Sequence, residues 1–318
     1  MRNVTLKQLR VLAAIAKSGQ ITSAAKHLGV TPPAVTLQLK LLEENVGMAL
    51  FDRSSRGLRP TDAGSYMLQT EARIASTLAE CDEGLKQLKG LGRGRVSLGT
   101  VSTTKYFAPL ALAAFSRENP DIELELLVGH RNEITAALTN LKLDMAIMGR
   151  PPKKIELERQ VIGDHPHVII APPDHRLASR SRIPLRWLVN DTFLLRESGS
   201  GTRILTDQMF AKADIAPSFG MEFGSNETIK QAVMAGLGVA FISAHTVAAE
   251  VAQGRMIVLQ VTGLPVVRKW YLLRAKAKHL LPAGTALWKF LVKHGGRFPP
   301  DVSALVGRSK SRARSRKR

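Results

Sequence analysis

Before Gly47 the chain crowds three amphipathic segments together, each parted from the next by a glycine turn. Leu6, Leu9, Leu12, Ala13, Ile15 and Ala16 recur at three- and four-residue spacing, which predicts a helix with one buried face ending at Ser18-Gly19. Thr22 is placed to cap a second helix with Ala24, Ala25 and Leu28 inside, and Gly29 supplies the turn out. In a third segment Thr31 is the expected N-cap. Pro32 and Pro33 fall in the first turn, where a missing N–H costs nothing, and Val35, Leu39 and Leu42 point inward. Helices this short with turns this tight make a helix-turn-helix pattern, which a plain three-helix scaffold with a solvated hairpin would also display.

Thr36, Gln38 and Lys40 face outward from the third helix. Amides pair with base edges in the major groove, Lys pairs with guanine or phosphate, and a hydroxyl-capped helix start attracts a backbone phosphate. After Gly47, Leu50 to Thr61 read as two short strands around a loop bearing Arg53, Arg56 and Arg59, a basic wing. Residues 1–60 carry nine Lys or Arg against three Asp or Glu, so the partner they suit is polyanionic.

Residues 62–91 contain no proline, and Met67, Ile74, Leu78, Cys81, Leu85 and Leu88 form a seam whose last five members are spaced four, three, four, three. That is an a/d repeat, and about thirty helical residues would span about 45 Å. Ile74, Leu78, Cys81, Leu85 and Leu88 are therefore candidate dimerisation residues, with Glu71 weakening the seam at its start. Cys81 is expected to pack there, since a redox-sensing thiol needs exposure and an electropositive setting. As the only cysteine it excludes an intrachain disulfide and a thiolate zinc cluster. Glycines at 90, 92 and 94 then break the helix and mark a domain boundary.

Beyond that hinge, strand-like runs at 96–100, 122–128, 144–148, 168–171, 192–195 and 239–242 alternate with amphipathic helices such as 107–119, 134–141, 228–235 and 246–252. This is the pattern of a doubly wound α/β fold, which binds ligands beyond the carboxyl ends of its strands. Thr100 to Lys105 follow the first strand and Ser198 to Arg203 a later one, each rich in hydroxyls and amides and opening a helix. Arg131 and Arg150 follow two others, and Asn226 and Thr228 open a further helix. Recurrence of such anion seats points to a small anionic molecule.

His165, His167 and His175 lack clustered carboxylates or thiolates, so they are expected to be hydrogen-bonded or exposed rather than metal ligands. No G-x-x-x-x-G-K-[ST], H-E-x-x-H or G-x-S-x-G motif occurs, and nothing argues for catalysis. The whole chain of 318 residues is +20, and at 44% hydrophobic and 23% charged it is expected to fold into two or three domains. Seven of the basic groups lie in 308–318 with no acid among them, and without them the charge is still +13. That tail is expected to be disordered, either a solvated terminus or a nonspecific phosphate-binding arm. No run approaches the ~18 apolar residues of a membrane-spanning helix, so a cytoplasmic protein without membrane partners is expected.

The N-terminal motifs closely resemble those of the LysR family of transcriptional regulators. The residues that carry this are Leu6-Lys7-Gln8-Leu9-Arg10, Ser23-Ala24-Ala25-Lys26-His27-Leu28, Pro33-Ala34-Val35-Thr36-Leu37-Gln38-Leu39, Leu50-Phe51-Asp52-Arg53 and Leu58-Arg59-Pro60-Thr61-Asp62-Ala63-Gly64. The sequence departs from the family pattern at Pro32, where Gln is usual, and at Leu37, where a polar or basic residue is frequent. The resemblance implies contacts with double-stranded promoter DNA from Thr31, Pro33, Ala34, Thr36, Gln38, Lys40, Arg53, Arg56 and Arg59. It further implies an α/β fold with an N-terminal winged helix-turn-helix, a long linker helix, and a C-terminal two-subdomain, periplasmic-binding-protein-like effector domain. The corresponding bounds are 1–61, 62–91, 92–300 and a tail at 301–318. The effector residues on this reading are Thr100, Ser102, Thr103, Thr104, Lys105, Arg131, Arg150, Ser198, Ser200, Gly201, Thr202, Arg203, Asn226 and Thr228. A homodimer or a homotetramer, and contact with RNA polymerase, are implied by the family alone.

Within the family, Val101 to Pro109, Asp144 to Pro152 and Gly163 to His175 resemble the subgroup that regulates carbon-fixation (Calvin cycle, RuBisCO) operons. That implies gene activation with a phosphorylated sugar such as ribulose 1,5-bisphosphate, or NADPH, as signal. The residues themselves leave open a LysR-type regulator of another pathway with a carboxylate effector, for instance aromatic catabolism. They also leave open an architectural DNA-binding protein.

Overall fold

The computed structural model describes residues 3–54, 57–88, 94–153 and 155–305. Arg56, the hinge at 89–93 and the tail from 306 lie outside the described residues, as do the side chains of Arg53 and Leu88. The chain divides near Gly92 into two compact units.

The first unit begins with α1 (Leu6–Ser18), α2 (Ile21–Leu28) and α3 (Pro32–Val46). Thr5 and Gln8 form a reciprocal capping box at the start of α1, Gln8 N donating to Thr5 Oγ1 (3.3 Å) and Thr5 N to Gln8 Oε1 (2.9 Å). The second helix starts two residues earlier than the hydroxyl signal at Thr22 implies. Its N-cap is Gln20, which makes no side-chain cap, so Thr22 lies inside the first turn. Thr31 is the N-cap of α3 with Pro32 and Pro33 behind it, although its hydroxyl makes no capping bond. Leu12, Ile15, Ala24, Ala25, Val35 and Leu42 close the core.

The wing is β1 (Phe51–Ser54) paired antiparallel with β2 (Gly57–Pro60). It docks on the end of α1, with Leu58 N donating to Gly19 O at 2.8 Å. Only glycine fits at 57, where φ is +111° and a Cβ would meet Gly19 O at 2.6 Å. Thr61 then starts α4 (Asp62–Leu88), its hydroxyl donating to Ala49 O (2.9 Å) and accepting from Gly64 N (3.0 Å). Met67 is buried against the helical core and Ile74 half-buried on it. Further along the seam Leu78 is 44% and Leu85 51% exposed, and Cys81 is exposed as well.

The second unit contains β3 (Arg95–Val101), α5 (Ala108–Glu118), β4 (Glu123–Gly129), α6 (Arg131–Thr139), β5 (Met145–Met148) and the long β6 (Leu157–Ala171). It continues through β7 (Thr192–Arg196), α7 (Gly201–Ala213), β8 (Ser218–Phe223), α8 (Asn226–Met234), β9 (Ala240–Ser243), α9 (Ala248–Ala252), β10 (Ile257–Leu259), β11 (Val266–Ala275) and α10 (Pro282–His294). The fold is α/β with mixed sheets. β3 pairs parallel with β4 and β5, and β7 pairs parallel with β8, while β6 and β11 run antiparallel through the middle.

That central pair serves two lobes. Ile162, Trp270 and Leu272 pack into one core with Val96, Leu98, Phe107, Phe115 and Leu287. Val168 and Ile170 pack into another with Ile229, Val233 and Ile242. The register shifts between Trp270 and Tyr271, where Ile162 is left without an opposite number. Pro166 is no interruption of β6, because the ladder with β9 begins only at His167 and that side of the strand has no neighbour at 166.

The folded chain also runs further than expected. Val302 is 7% exposed within the second lobe's core and Leu305 packs on it, so residues 301–305 belong to the domain rather than to a disordered tail. Among the described residues no helix is long and apolar enough to cross a membrane.

Candidate effector cavity and DNA-facing surface

A cavity of about 180 Å³ opens between the two lobes of the second unit. From the first lobe come Ser102 and Thr103 in the turn after β3, His130 and Arg131 after β4, and Gly149 and Arg150 after β5. The second lobe contributes Arg196 and Glu197 at the end of β7, Ser200 to Thr202 at the start of α7, and Gln208. Across the central pair, His165, His167, Arg268 and Trp270 form the floor.

Ser200 caps α7 by accepting from Arg203 N (3.0 Å), so the free N–H groups of that helix start lie at the cavity wall. Arg131 spends its guanidinium on the carbonyls of Arg150 and Pro151 and meets no carboxylate among the described residues. Burial, and then the charge of Arg150, pull it below the ordinary arginine range. Arg196 is buried and clamps Glu197 from Nε (2.7 Å) and from its second terminal nitrogen (2.8 Å), while also donating to Asn226 Oδ1. Four arginines and one glutamate line the space, so an anion is the ligand it suits.

The lobes touch across the cavity. Asn226 Nδ2 donates to Thr103 Oγ1 at 3.2 Å, His130 Nδ1 lies 3.2 Å from Glu197 Oε1, Lys105 Nζ lies 3.3 Å from Glu227, and Tyr106 donates to Glu227.

Of the expected effector residues, Ser102, Thr103, Arg131, Arg150, Ser200, Gly201 and Thr202 line the cavity. The others do not. Thr100 is buried within β3, and Thr104 turns its hydroxyl back to Val101 O (2.8 Å). Lys105 is taken by Glu227, and Arg203 by Glu222 (2.7 Å) and Asp207 (3.1 Å). Asn226 stands behind Arg196, bonding it and Thr103, whereas Ser198 and Thr228 face solvent. Sequence reasoning missed His130, His165, His167, Arg196, Glu197, Gln208, Arg268 and Trp270. One of the histidines also departs from the expectation that they are hydrogen-bonded or exposed. His165 is buried with neither ring nitrogen hydrogen-bonded, and His167 is buried with Nδ1 on the carbonyl of His165 (3.1 Å). His175 pairs with Asp191 at 3.3 Å. Among the described residues no group of His, Cys, Asp and Glu is arranged to hold a metal ion.

On the helix-turn-helix, Thr31, Pro33, Thr36 and Lys40 are exposed, Ala34 and Gln38 are half-buried, and Leu37 is 54% exposed. Thr36 donates its hydroxyl to Pro32 O (3.1 Å) and can still accept. Arg59 is exposed on β2. Exposed cations, a hydroxyl and an amide thus share the α3 face and the wing.

Comparison with known proteins assigns both units. Residues 6–65 match the bacterial regulatory helix-turn-helix protein, lysR family, and residues 89–296 match the LysR substrate binding domain. The HTH-type transcriptional regulator CbbR of Xanthobacter flavus is 53% identical over 300 residues, covering 94% of this chain and 90% of that protein. The RuBisCO operon transcriptional regulator of Allochromatium vinosum is 38% identical over 296 residues, 93% of this chain and 98% of that one. Among solved structures, the Synechocystis PCC6803 CcmR regulatory domain in complex with 2-PG is 35% identical (TM-score 0.61), covering 63% of this chain and 96% of that one. Full-length CbnR complexed with its target DNA shares the fold at 20% identity (TM-score 0.67), covering 91% of this chain and 99% of that one.

Proposed function

The chain belongs to the LysR family of DNA-binding transcriptional regulators, and from that premise we propose that it controls carbon-fixation (RuBisCO operon) genes in response to a phosphorylated metabolite bound between its two lobes. It is a regulator and not an enzyme. The observation that carries the effector reading is the cavity lining, in which Arg131, Arg150, Arg196 and Arg268 face one carboxylate, Glu197. A volume of about 180 Å³ favours a sugar phosphate such as ribulose 1,5-bisphosphate over the larger NADPH.

Promoter DNA is read by α3, with Thr36, Gln38 and Lys40 toward the major groove and the wing arginines on the backbone. The exposed stretch of the α4 seam, Leu78, Cys81 and Leu85, is covered by the same helix of a second copy. Two heads so joined recognise a pseudo-palindrome with half-sites about one helical turn or a multiple apart. The effector acts through a difference in its affinity for two arrangements of the lobes.

Gel-shift titrations at fixed salt test this, using the DNA upstream of the carbon-fixation operon and a scrambled fragment, each with and without ribulose 1,5-bisphosphate or NADPH. Preference for the operon fragment, altered in affinity or mobility by the sugar bisphosphate, is the expected result. Equal binding to both fragments with no metabolite effect would overturn it.

A further inference from the structure

Arg268 stands opposite His165 in the antiparallel register of β6 and β11, and the ring centroid of His167 lies 4.2 Å from that of His165. All three line the cavity floor. Among the described residues Arg268 has no carboxylate partner. His165 is 6% exposed, and both its ring nitrogens are without a hydrogen-bond partner, although an imidazole always carries at least one N–H. Buried polar groups are rarely left that way. Gly149 keeps the place open, since a Cβ there would come within 2.8 Å of His165 Nδ1.

Arginines outnumber acids in the surroundings, with Glu197 in the lining and Asp164 acting on His245. Trp270 covers one face of the His165 ring, centroids 3.7 Å apart, and donates its indole N–H to His245 Nδ1 (3.2 Å). His245, from the turn after β9, stacks at 6.1 Å from His165. Arg150 follows β5, Arg131 opens α6, and Arg196 from β7 brings its own counter-ion, Glu197. Asp164 adjoins His165 in sequence but is paired with Lys269. His167 donates from Nδ1 to the His165 carbonyl, which leaves Nε2 as the atom that can gain a proton.

We infer that Arg268, His165 and His167 form an oxyanion seat at the inner end of the cavity, and that an anion entering it is bound together with a proton taken up by the histidine pair. This rests on the reading of the cavity as the effector site. In the empty cavity, burial and the charges of Arg268 and the neighbouring histidines keep both imidazoles neutral. An anion reverses the sign of the local field and makes the imidazolium the favoured form. Affinity therefore falls as pH rises, and the regulator reads proton concentration together with its metabolite.

Sulfate is a suitable probe, because it keeps both negative charges throughout and its affinity reports the protein's groups alone. At fixed ionic strength, the sulfate Kd of the full chain weakens about tenfold from about pH 6 to about pH 8, which corresponds to roughly half a proton bound per site. Isothermal titration calorimetry in buffers of different ionisation enthalpy reads that uptake directly on the wild-type chain. The double variant His165→Gln/His167→Gln loses the pH dependence, and the wild-type measurement stands even where that variant fails to fold. A wild-type Kd independent of pH, with no proton uptake, overturns the inference and leaves the effector site intact. Failure of both sulfate and ribulose 1,5-bisphosphate to bind at any pH overturns the effector-site reading and the inference with it. Uptake abolished by His130→Gln places the proton at the exposed rim and likewise overturns the assignment.

Discussion

Glu197 Oε1 lies 3.2 Å from Nδ1 of His130, so a carboxylate leaving β7 in one lobe reaches the loop that ends β4 in the other. The same carboxylate is held by its neighbour Arg196 through two hydrogen bonds. Among the described residues it is the only acid lining the cavity. It neutralises the buried Arg196 guanidinium, which an anionic ligand would otherwise meet bare.

Replacing that charge frees Arg196 while keeping its hydrogen-bonding shape. Glu197→Gln is expected to tighten ribulose 1,5-bisphosphate binding about tenfold, roughly 1.4 kcal/mol, by removing a like charge from the ligand's surroundings. Calorimetric titration of variant and wild type checks it, and unchanged or weaker binding would show that Glu197 does not compete with the ligand.

Acid should loosen the empty domain. Burial holds His167 and His245 at about 4, against an ordinary value of 6.5. Between those values the unfolded chain binds protons that the fold refuses, so stability is full above about pH 6.5 and drops as pH falls toward 4. From about pH 7 to about pH 5 each buried histidine costs roughly 2 kcal/mol, which lowers Tm by about 5–10 °C. Melting curves of His167→Gln should show a shallower fall than wild type, and an equal fall would count against its role.

Base reading and phosphate contact separate by mutation. Gln38→Ala is expected to weaken operator binding by about 1–3 kcal/mol with little effect on scrambled DNA. Arg59→Ala should weaken both fragments alike and reduce the slope of log affinity against log salt by about one. Fluorescence anisotropy across a salt series distinguishes the two, and a uniform loss from Gln38→Ala would argue that it only positions the helix.

Leu78 and Leu85 stay half exposed on α4 while Met67 is buried in the helical core. Leu78→Glu should leave each head folded yet shift the chain toward monomer in sedimentation velocity, with operator affinity lost by at least tenfold as the two half-sites uncouple. A variant that sediments like wild type would place the dimer contact elsewhere.

Local patterns made the head legible. Capping residues, prolines in a first turn and three-residue periodicity each act within a few positions, and α1, α3 and the wing follow from them. Thr22 misled because a hydroxyl inside a first turn looks the same in sequence as one that caps it. In the effector domain the loops after β3, β4, β5 and before α7 were readable as anion seats, because glycine, hydroxyl and cation cluster there. Arg196, Arg268 and the histidine pair were not. Arg268 meets the histidine pair through the way β6 lies against β11 over some hundred residues of separation, and periodicity within either strand carries no register, while Arg196 arrives from β7. Lys105 and Arg203 look like free cations in sequence, and only the fold shows the carboxylates that occupy them.

The shifted register at Ile162 and Trp270 lies within the first lobe's core, and β6 runs on from it into the second lobe's core at Val168 and Ile170. A ladder interrupted there can twist about that point while the pairings on either side stay made, so the work of parting the lobes goes into bending a two-stranded ribbon rather than into unzipping it. The ribbon joins the lobes on one side, and Tyr106 with Glu227 and His130 with Glu197 join them across the cavity. Stiffness at the joint and grip at the rim are thus held by different residues. The threshold at which the metabolite acts could be retuned at the rim without disturbing the strands that carry the fold.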